Sequence, residues 1–399
     1  MFNDKDINVG IIGGGERGMI YLRLCLSGIR EGIHVKALAD PDVDKMKSLA
    51  GTFYEETNAE LPRFYEDYRE MLDYEDINVV FISSSDTTHK EIFLEAVSKG
   101  KHILLEKPLA TTIDDCKEIY KASVGYSKVI KLGFVLRYTG FYKKIKEIIE
   151  KGDLGRVISI EAREILGVPH AGSYFRRWHR FKKNNGGFVN AKCSHDIDLL
   201  NWMVDSEPVY VSAFGSRIFF NKKEGAAQEC KNCDLKPECR YLAVELPPDA
   251  PDYYWHTQKD YCVFNSEKDI VDHEILTIEY ANGVTAAFIA NMFGDRDRRS
   301  MTINGSEAEL KADLTEGTIQ ITNIYPKYTQ TYKIDKETGG HSGGDEGLFK
   351  YFIDAIRKDD DTDGANEVKR GLLSSLVALS GETSMEEKRV IDVREYYVF

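Results

Sequence analysis

The sequence predicts an α/β protein in two parts. Residues 1–128 read as a domain built on a parallel sheet, and residues 129–399 as an α+β domain with a large, mostly antiparallel open sheet. Three observations predict it. A run of three glycines, Gly13 to Gly15, separates an apolar strand from an apolar helical pattern. Strand and helix patterns then alternate up to about residue 128, which is the signature of βαβ units and a parallel sheet. Beyond that point the chain turns to long segments rich in Val, Ile, Phe and Tyr, and one of them carries Asn-Gly between two alternating apolar runs, a hairpin signal.

The elements follow in order. Residues 9–12 are short, apolar and β-branched, and read as a buried strand. A helix is expected over 19–26, a strand over 34–40, a helix over 43–54, a strand over 78–85 and a helix over 89–100. "HILLEKPLA" (102–110) reads as a strand running into a Lys-Pro corner, followed by a helix over 113–123 and a strand over 129–136. A last helix over 141–152 leads into the second domain, whose hairpin spans 272–293 and whose strands run on to Lys333. A chain of 399 residues exceeds one ordinary hydrophobic core, which supports two domains.

Composition removes several classes of function. The net charge of −13 is the wrong sign for a protein that neutralises phosphate backbones, so no nucleic-acid partner is expected. No apolar run approaches a bilayer span, and "MFNDKDINVG" lacks a basic region and an apolar region, so no membrane partner and a cytoplasmic location are expected. The cysteines number seven, and an odd count in a long chain argues against a disulfide framework.

"GGGERG" fits G-x-G-x-x-G with Gly13, Gly15 and Gly18, in the strand-to-helix context that gives the pattern meaning. The first glycine would make the turn, the second would let the backbone approach a pyrophosphate, and the third would let helix and strand pack closely. Asp40 ends the next strand and would accept hydrogen bonds from a ribose 2′-hydroxyl while repelling a 2′-phosphate, which points to NAD in a Rossmann-type site. Glu16 and Arg17 follow the glycines and belong to the expected cofactor set. Ser84, His89, Glu106 and Lys107 stand at the carboxyl ends of later strands, where ligands of such sheets bind, and complete the expected cofactor set. A lysine at Lys107 can polarise or protonate an oxygen during hydride transfer.

With these stretches in view the chain resembles the Gfo/Idh/MocA oxidoreductases, named for glucose–fructose oxidoreductase and inositol dehydrogenase. The resemblance covers nearly the whole chain through "GIIGGGERG", "ALADPD", "EKPLA", "LGFVLRY", "GGFVNAKCSHDIDLLNWM" and "EYANGVTAAF". It implies a Rossmann domain followed by an α/β domain whose open sheet forms the subunit interface of dimers or tetramers. It also implies NAD or NADP as cofactor and sugars, cyclitols or their derivatives as substrates. Lys107 becomes the family's catalytic lysine, and His195 its acid/base, with Asp198 as a polar neighbour.

One departure stands out. Many members carry an aspartate four residues before the histidine, where this chain has Ala191 with Lys192 beside it. Lys192 could take over a substrate contact or hold an anionic substituent. Arg177, Trp178 and His179, in the stretch "HAGSYFRRWHR", are further substrate candidates, since aromatic faces stack on sugar rings and arginines grip oxygens. That stretch reads as a loop, equally suited to packing. "GGHSGGDEG" offers His341 and Asp345 in a loop that could close over the site, although Asp345 also suits a helix N-cap.

Two net reactions fit these residues. One is hydride transfer between nicotinamide and a hydroxyl or keto carbon. The alternative is a redox-neutral, NAD-dependent glycoside hydrolase or lyase, using transient oxidation and elimination, with Lys192, His179 or His341 as the extra base. A non-enzymatic NAD sensor is a third reading, which the presence of both Lys107 and His195 opposes. Separately, residues 221–262 form a cysteine-containing insertion in which Cys230, Cys233 and Cys239 could hold a structural zinc, with Cys262 or His256 as fourth ligand, or remain reduced and unliganded.

Overall fold

The computed structural model describes residues 6–57, 59–74, 76–243, 261–335, 339–358 and 364–399. Its elements in chain order begin with β1 (Ile7–Ile12), α1 (Glu16–Leu26), β2 (Ile33–Ala39), α2 (Val43–Thr57), β3 (Arg63–Tyr65), α3 (Tyr68–Leu72), β4 (Val79–Ile82), α4 (His89–Ser98), β5 (His102–Leu105), α5 (Ile113–Ser123) and β6 (Ile130–Leu132). There follow α6 (Gly140–Glu150), β7 (Val157–Gly167), α7 (Val168–Arg176), α8 (Phe188–Val204), β8 (Pro208–Ser216), β9 (His273–Tyr280), β10 (Thr285–Gly294), β11 (Arg298–Gly305), β12 (Ala308–Asp313), β13 (Thr318–Asn323) and β14 (Thr329–Lys333). The chain closes with α9 (Gly344–Lys358), α10 (Gly364–Glu387) and β15 (Ile391–Asp392).

The first six strands form one sheet in the order β3-β2-β1-β4-β5-β6, with every pairing parallel. The order reverses direction at β1, which places a topological switch point at the carboxyl ends of β1 and β4. The middle strands are apolar along their length because helices cover both faces: Val79 to Ile82 and Ile103 to Leu105 are fully buried.

The second sheet has nine strands in the order β14-β13-β12-β11-β7-β10-β9-β8-β15. The pair β7–β10 is parallel and the other pairings are antiparallel. The Asn-Gly hairpin forms as expected between β9 and β10, with Gly283 at φ +84°. Burial alternates strictly along β9: Glu274, Leu276, Ile278 and Tyr280 point inward while Ile275 is exposed.

The chain divides into two compact units, residues 1–138 with 339–372 and 398, and residues 139–338 with 373–397 and 399. The boundary expected at residue 128 therefore lies inside the first unit. Two features move it. Strand β6 pairs with β5 at Ile103 and Ile130, so it cannot be detached from the parallel sheet. Helix α9 returns to the same unit, packing Phe349 and Phe352 against Phe81 of β4 at ring-centroid distances of 6.2 and 5.8 Å. Helix α10 contributes residues to both units.

Two local expectations also change. Helix α1 starts three residues earlier than its apolar pattern implied, at Glu16, directly after Gly15. "HAGSYFRRWHR", expected as a loop, is helix α7 followed by a short 3₁₀ turn at Trp178–Arg180. Pro169 sits in the first turn of α7, where a missing N–H costs nothing, so it starts the helix rather than breaking it.

Candidate active site

The glycine loop behaves as its spacing implied. Gly13 adopts φ +100°, and a Cβ there would lie 2.5 Å from the Ser83 carbonyl oxygen, so no other residue fits the turn. A Cβ on Gly18 would collide with the Gly13 carbonyl. Gly15 differs: nothing lies within 4 Å of the Cβ position, and the residue is exposed. The loop is thus closed toward the sheet and open on the side where α1 presents its N-terminal N–H groups, at an N-cap without a side chain. Asp40, half-buried at the end of β2, accepts from the Gly14 N–H at 2.6 Å and from the Asp42 N–H at 2.8 Å. These features fit a dinucleotide: a cradle for pyrophosphate, an approach that only glycine permits, and a carboxylate at the strand end.

Arg17 and Glu106 meet each other across the unit. The Arg17 guanidinium donates from Nε to Glu106 Oε1 at 2.7 Å and pairs through Nη2 with Asp345 Oδ1 at 2.9 Å. Tyr21 donates its hydroxyl to the same Glu106 oxygen at 2.5 Å, and burial together with the Glu106 charge raises its pKa well above the usual phenol value. The second Glu106 oxygen accepts from the Lys107 N–H at 3.2 Å. Arg17 and Glu106 therefore brace α1, the end of β5 and α9 against one another. Asp345 is 2% exposed and also receives His341 Nδ1 at 3.1 Å. Burial alone would raise its pKa, but Arg17 and His341 outweigh that and hold the carboxyl well below the usual range. His341 and Asp345 belong to this brace.

Lys107 is half-buried at the carboxyl end of β5, the position at which sheets of this order bind ligands. Asp86, in the short turn after β4, was not among the residues singled out from the sequence. Burial raises its carboxyl pKa to about 8, with Lys107 pulling it back and Glu106 pushing it up. His89 is fully buried, and its Nδ1 lies 2.8 Å from the Pro108 carbonyl. Burial lowers its pKa, so it is a neutral donor that holds the Lys-Pro corner. Ser84 is half-buried at the end of β4, its hydroxyl accepting from Thr88 Oγ1 at 2.8 Å.

In the second unit His195 is 4% exposed, on the second turn of α8. Asp198 and Ala191 are buried on the same helix, whose apolar residues Ile197, Leu199, Leu200 and Met203 are at most 1% exposed. Lys192 projects to Glu164 of β7, with Nζ 3.1 Å from Oε1. Arg299 of β11 closes the cluster, its Nε 2.9 Å from both Glu164 Oε2 and Asp196 Oδ1. Two cations and two carboxylates thus share one buried patch. Burial raises the Asp196 pKa to about 6, with Arg299 opposing it and Glu164 reinforcing it. His170 lies beside this patch, with Nδ1 2.8 Å from Asp297 Oδ2. Burial and the Lys192 charge lower its pKa despite that partner, while the hydrogen bonds from His170 and the Gly167 N–H bring Asp297 down to about 2. Glu164 lies 28 residues from Lys192, Arg299 103 residues from Asp196 and Asp297 127 residues from His170, so none carried a local signal.

Arg177, Trp178 and His179 are half-buried in the turn after α7. Trp178 and His179 stack at 3.8 Å, and His179 also faces Tyr174 at 4.9 Å. Tyr174 and Phe175 are buried, so the stretch serves packing as well as presenting its polar ends. Of the insertion, Cys230, Cys233, Cys239 and Cys262 are described, while His256 lies outside the described residues.

Fold and loop together define a dinucleotide-binding oxidoreductase with a second, open-sheet α/β unit. Two family models match it: residues 7–134 fit the oxidoreductase family's NAD-binding Rossmann fold, and residues 146–393 its C-terminal alpha/beta domain. The chain belongs to the Gfo/Idh/MocA oxidoreductase family. It is 26% identical over 374 residues to YteT of Bacillus subtilis strain 168, named an oxidoreductase with no substrate stated, covering 85% of this chain and 87% of that one. It is 28% identical over 213 residues to inositol 2-dehydrogenase 2 of Saccharopolyspora erythraea, a match spanning 53% of this chain and 58% of that protein. Its fold is similar to that of a levoglucosan dehydrogenase in complex with NADH, with TM-score 0.74, 21% identity and 98% and 99% of the two chains covered.

Proposed function

We propose that this chain is an NAD-dependent dehydrogenase of a sugar, cyclitol or closely related polyol. The observation that carries this reading is Lys107 with Asp86 at the carboxyl ends of β5 and β4, in the unit that holds the glycine loop and Asp40. When bound, the nicotinamide supplies the hydride acceptor or donor. The chain's own residues handle the proton. Lys107 orients the reacting hydroxyl and stabilises the oxygen as its proton leaves. His195 accepts that proton, a task suited to imidazole near neutral pH. Asp86, its carboxyl raised by burial to about 8, adds no negative charge beside Lys107 at neutral pH.

The pairing of Lys192 with Glu164 bears on the substrate. Its charge is balanced inside the protein, which favours a neutral polyol over an anionic one. The inositol and levoglucosan dehydrogenases named above act, by their names, on such neutral polyols. They do not favour the hydrolase alternative.

Incubation with NAD and a panel of cyclitols, free sugars, anhydrosugars and aryl glycosides tests the reading. NADH should accumulate with at least one neutral polyol. Aglycone release without net NADH would move the protein to the hydrolase, and no turnover of any polyol under saturating NAD would remove the dehydrogenase reading.

The reading extends to assembly and location. The bare face of the second sheet carries Phe214 and Ile275 directly opposite each other in register, 70% and 47% exposed. Two large apolar side chains side by side on an open sheet suit burial against a second copy, giving a homodimer or a tetramer built from it. No helix among the described residues is long and apolar enough to cross a membrane. A cytoplasmic location matches a dehydrogenase drawing on the NAD pool.

A further inference from the structure

The cysteine-containing insertion has a role that hydride chemistry does not use. Its described part holds 3₁₀ turns but no α-helix or multi-residue strand, so it gains little from regular hydrogen bonding or from a core of its own. Four cysteines of the insertion nevertheless line the same cavity. The Cys230–Asn232 turn closes with the Cys233 N–H donating to the Cys230 carbonyl at 3.1 Å, which puts both ends of the C-x-x-C on one side. The Lys236–Glu238 turn closes in the same way, with the Cys239 N–H on the Lys236 carbonyl at 3.2 Å. Cys262 arrives from the far end of the insertion. An antiparallel bridge joins Glu229 to Tyr261, and the Cys262 N–H donates to the Gln228 carbonyl at 2.8 Å.

All four cysteines line one small cavity of about 20 Å³, walled by apolar groups such as Leu235, Val263 and Phe264. That volume suits a single ion the size of one water molecule. Cys230 and Cys262 are buried and the other two are half-buried. A buried cation stands beside them. Arg176, 3% exposed, donates to the carbonyls of Tyr241 and Tyr261, the second at 3.1 Å, and makes a hydrogen bond with Cys230. A guanidinium buried against thiols is costly unless those sulfurs carry negative charge.

We propose that Cys230, Cys233, Cys239 and Cys262 bind one zinc ion as a tetrathiolate, with Arg176 as the buried counter-charge. Four thiolates around Zn²⁺ leave a net charge of −2, and Arg176 together with Lys223 and Lys236 at the cavity wall offsets it. The four thiols lose their protons to solvent on binding, and no electron transfer is involved. Among the described residues no group of three ligands already stands ready for a metal, so the thiols must close by side-chain rotation onto the cavity they share. The ion is structural: it clips the two ends of a long insertion together, and a closed four-sulfur shell leaves no position for substrate.

Metal analysis of the purified full-length protein tests this independently of activity. The protein should contain about one zinc per chain, released in step with titration of four thiols by an organomercurial. Exchange with cobalt(II) should produce thiolate-to-cobalt charge-transfer absorption and the visible bands of a tetrahedral site. Cys262→Ser should lower the zinc content about tenfold or more while NAD binding by the first unit is retained. Three results would overturn the proposal: wild-type protein that takes up no zinc after anaerobic reduction and remetallation, iron with acid-labile sulfide in place of zinc, or a disulfide joining any two of the four cysteines. The wild-type readouts stand whether or not the variant folds.

Discussion

At the scale of single residues, the roles proposed for Lys107 and Asp86 each make a prediction. Lys107→Ala removes the group that meets the reacting oxygen, so kcat/KM should fall by about 10³ with NAD affinity little changed, measured by steady-state NADH formation and by nucleotide titration. Asp86 is neutral below about pH 8 and an anion above it. Ionisation places a negative charge next to Lys107 and alters its hold on the substrate. The kcat/KM profile should bend near pH 8, and Asp86→Asn should remove that bend while keeping the neutral-pH rate within about tenfold. A bend that survives the substitution would assign it to another group. Asp40 was readable from the sequence because its role depends on one carboxylate at a strand end. Asp86 was not, because "SSSDTTH" reads as an ordinary polar turn and only burial beside Lys107 changes its pKa.

At the scale of elements, the brace of Arg17, Glu106, Tyr21, Asp345 and His341 holds α1, β5 and α9 in register. Its ion pairs are buried, so breaking one leaves a charge without compensation, and Asp345→Asn should cost about 3 kcal/mol at pH 7. The folded pKa of Asp345 lies below its unfolded value, so the stability it contributes is present above pH 4 and is lost as pH falls below it. The gap in Tm between wild type and Asp345→Asn should therefore be full at pH 7 and shrink as the pH drops below about 4, by differential scanning calorimetry. The strand-to-helix turn before α1 was legible from the glycines and the helix over 113–123 from its apolar period. Helix α7 was not, because aromatic and basic residues crowd "HAGSYFRRWHR" and mask a helix begun by Pro169. Helix α10 gave little pattern because most of its residues are buried on all sides, leaving no polar face to mark the period.

At the scale of the whole molecule, two buried carboxylates and one open sheet face make the predictions. Glu274 and Glu382 are both buried, with Lys182 2.6 Å from Glu382. Burial, and then repulsion from Glu382, raises the Glu274 pKa well above the usual value. A carboxyl raised in the folded state loses stability as pH climbs through its unfolded value toward its folded one. Glu274→Gln escapes that loss, so it should raise Tm by about 3 °C at pH 8 and by little at pH 4. On the open face, Phe214→Glu places a charge where a second copy would pack, and should shift the assembly to a smaller species in size-exclusion chromatography with light scattering. A wild type that is already monomeric would remove the proposed interface.

The sequence by itself determined the alternation of strands and helices in the parallel sheet, the dinucleotide loop with its glycines and carboxylate, the lysine at the strand end and the histidine on its helix. Each of these rests on residues within a few positions of one another, where sterics and periodicity act locally. Tertiary structure alone decided the rest. It tied Arg17 and Glu106 into a brace with Asp345, and gave Lys192 a carboxylate partner 28 residues away. It also brought Cys262 to a cavity shared with three cysteines from the other end of an insertion. Those outcomes depend on which buried charges and thiols come within a few ångströms, and the cost of burying a charge is settled only once its neighbours are in place.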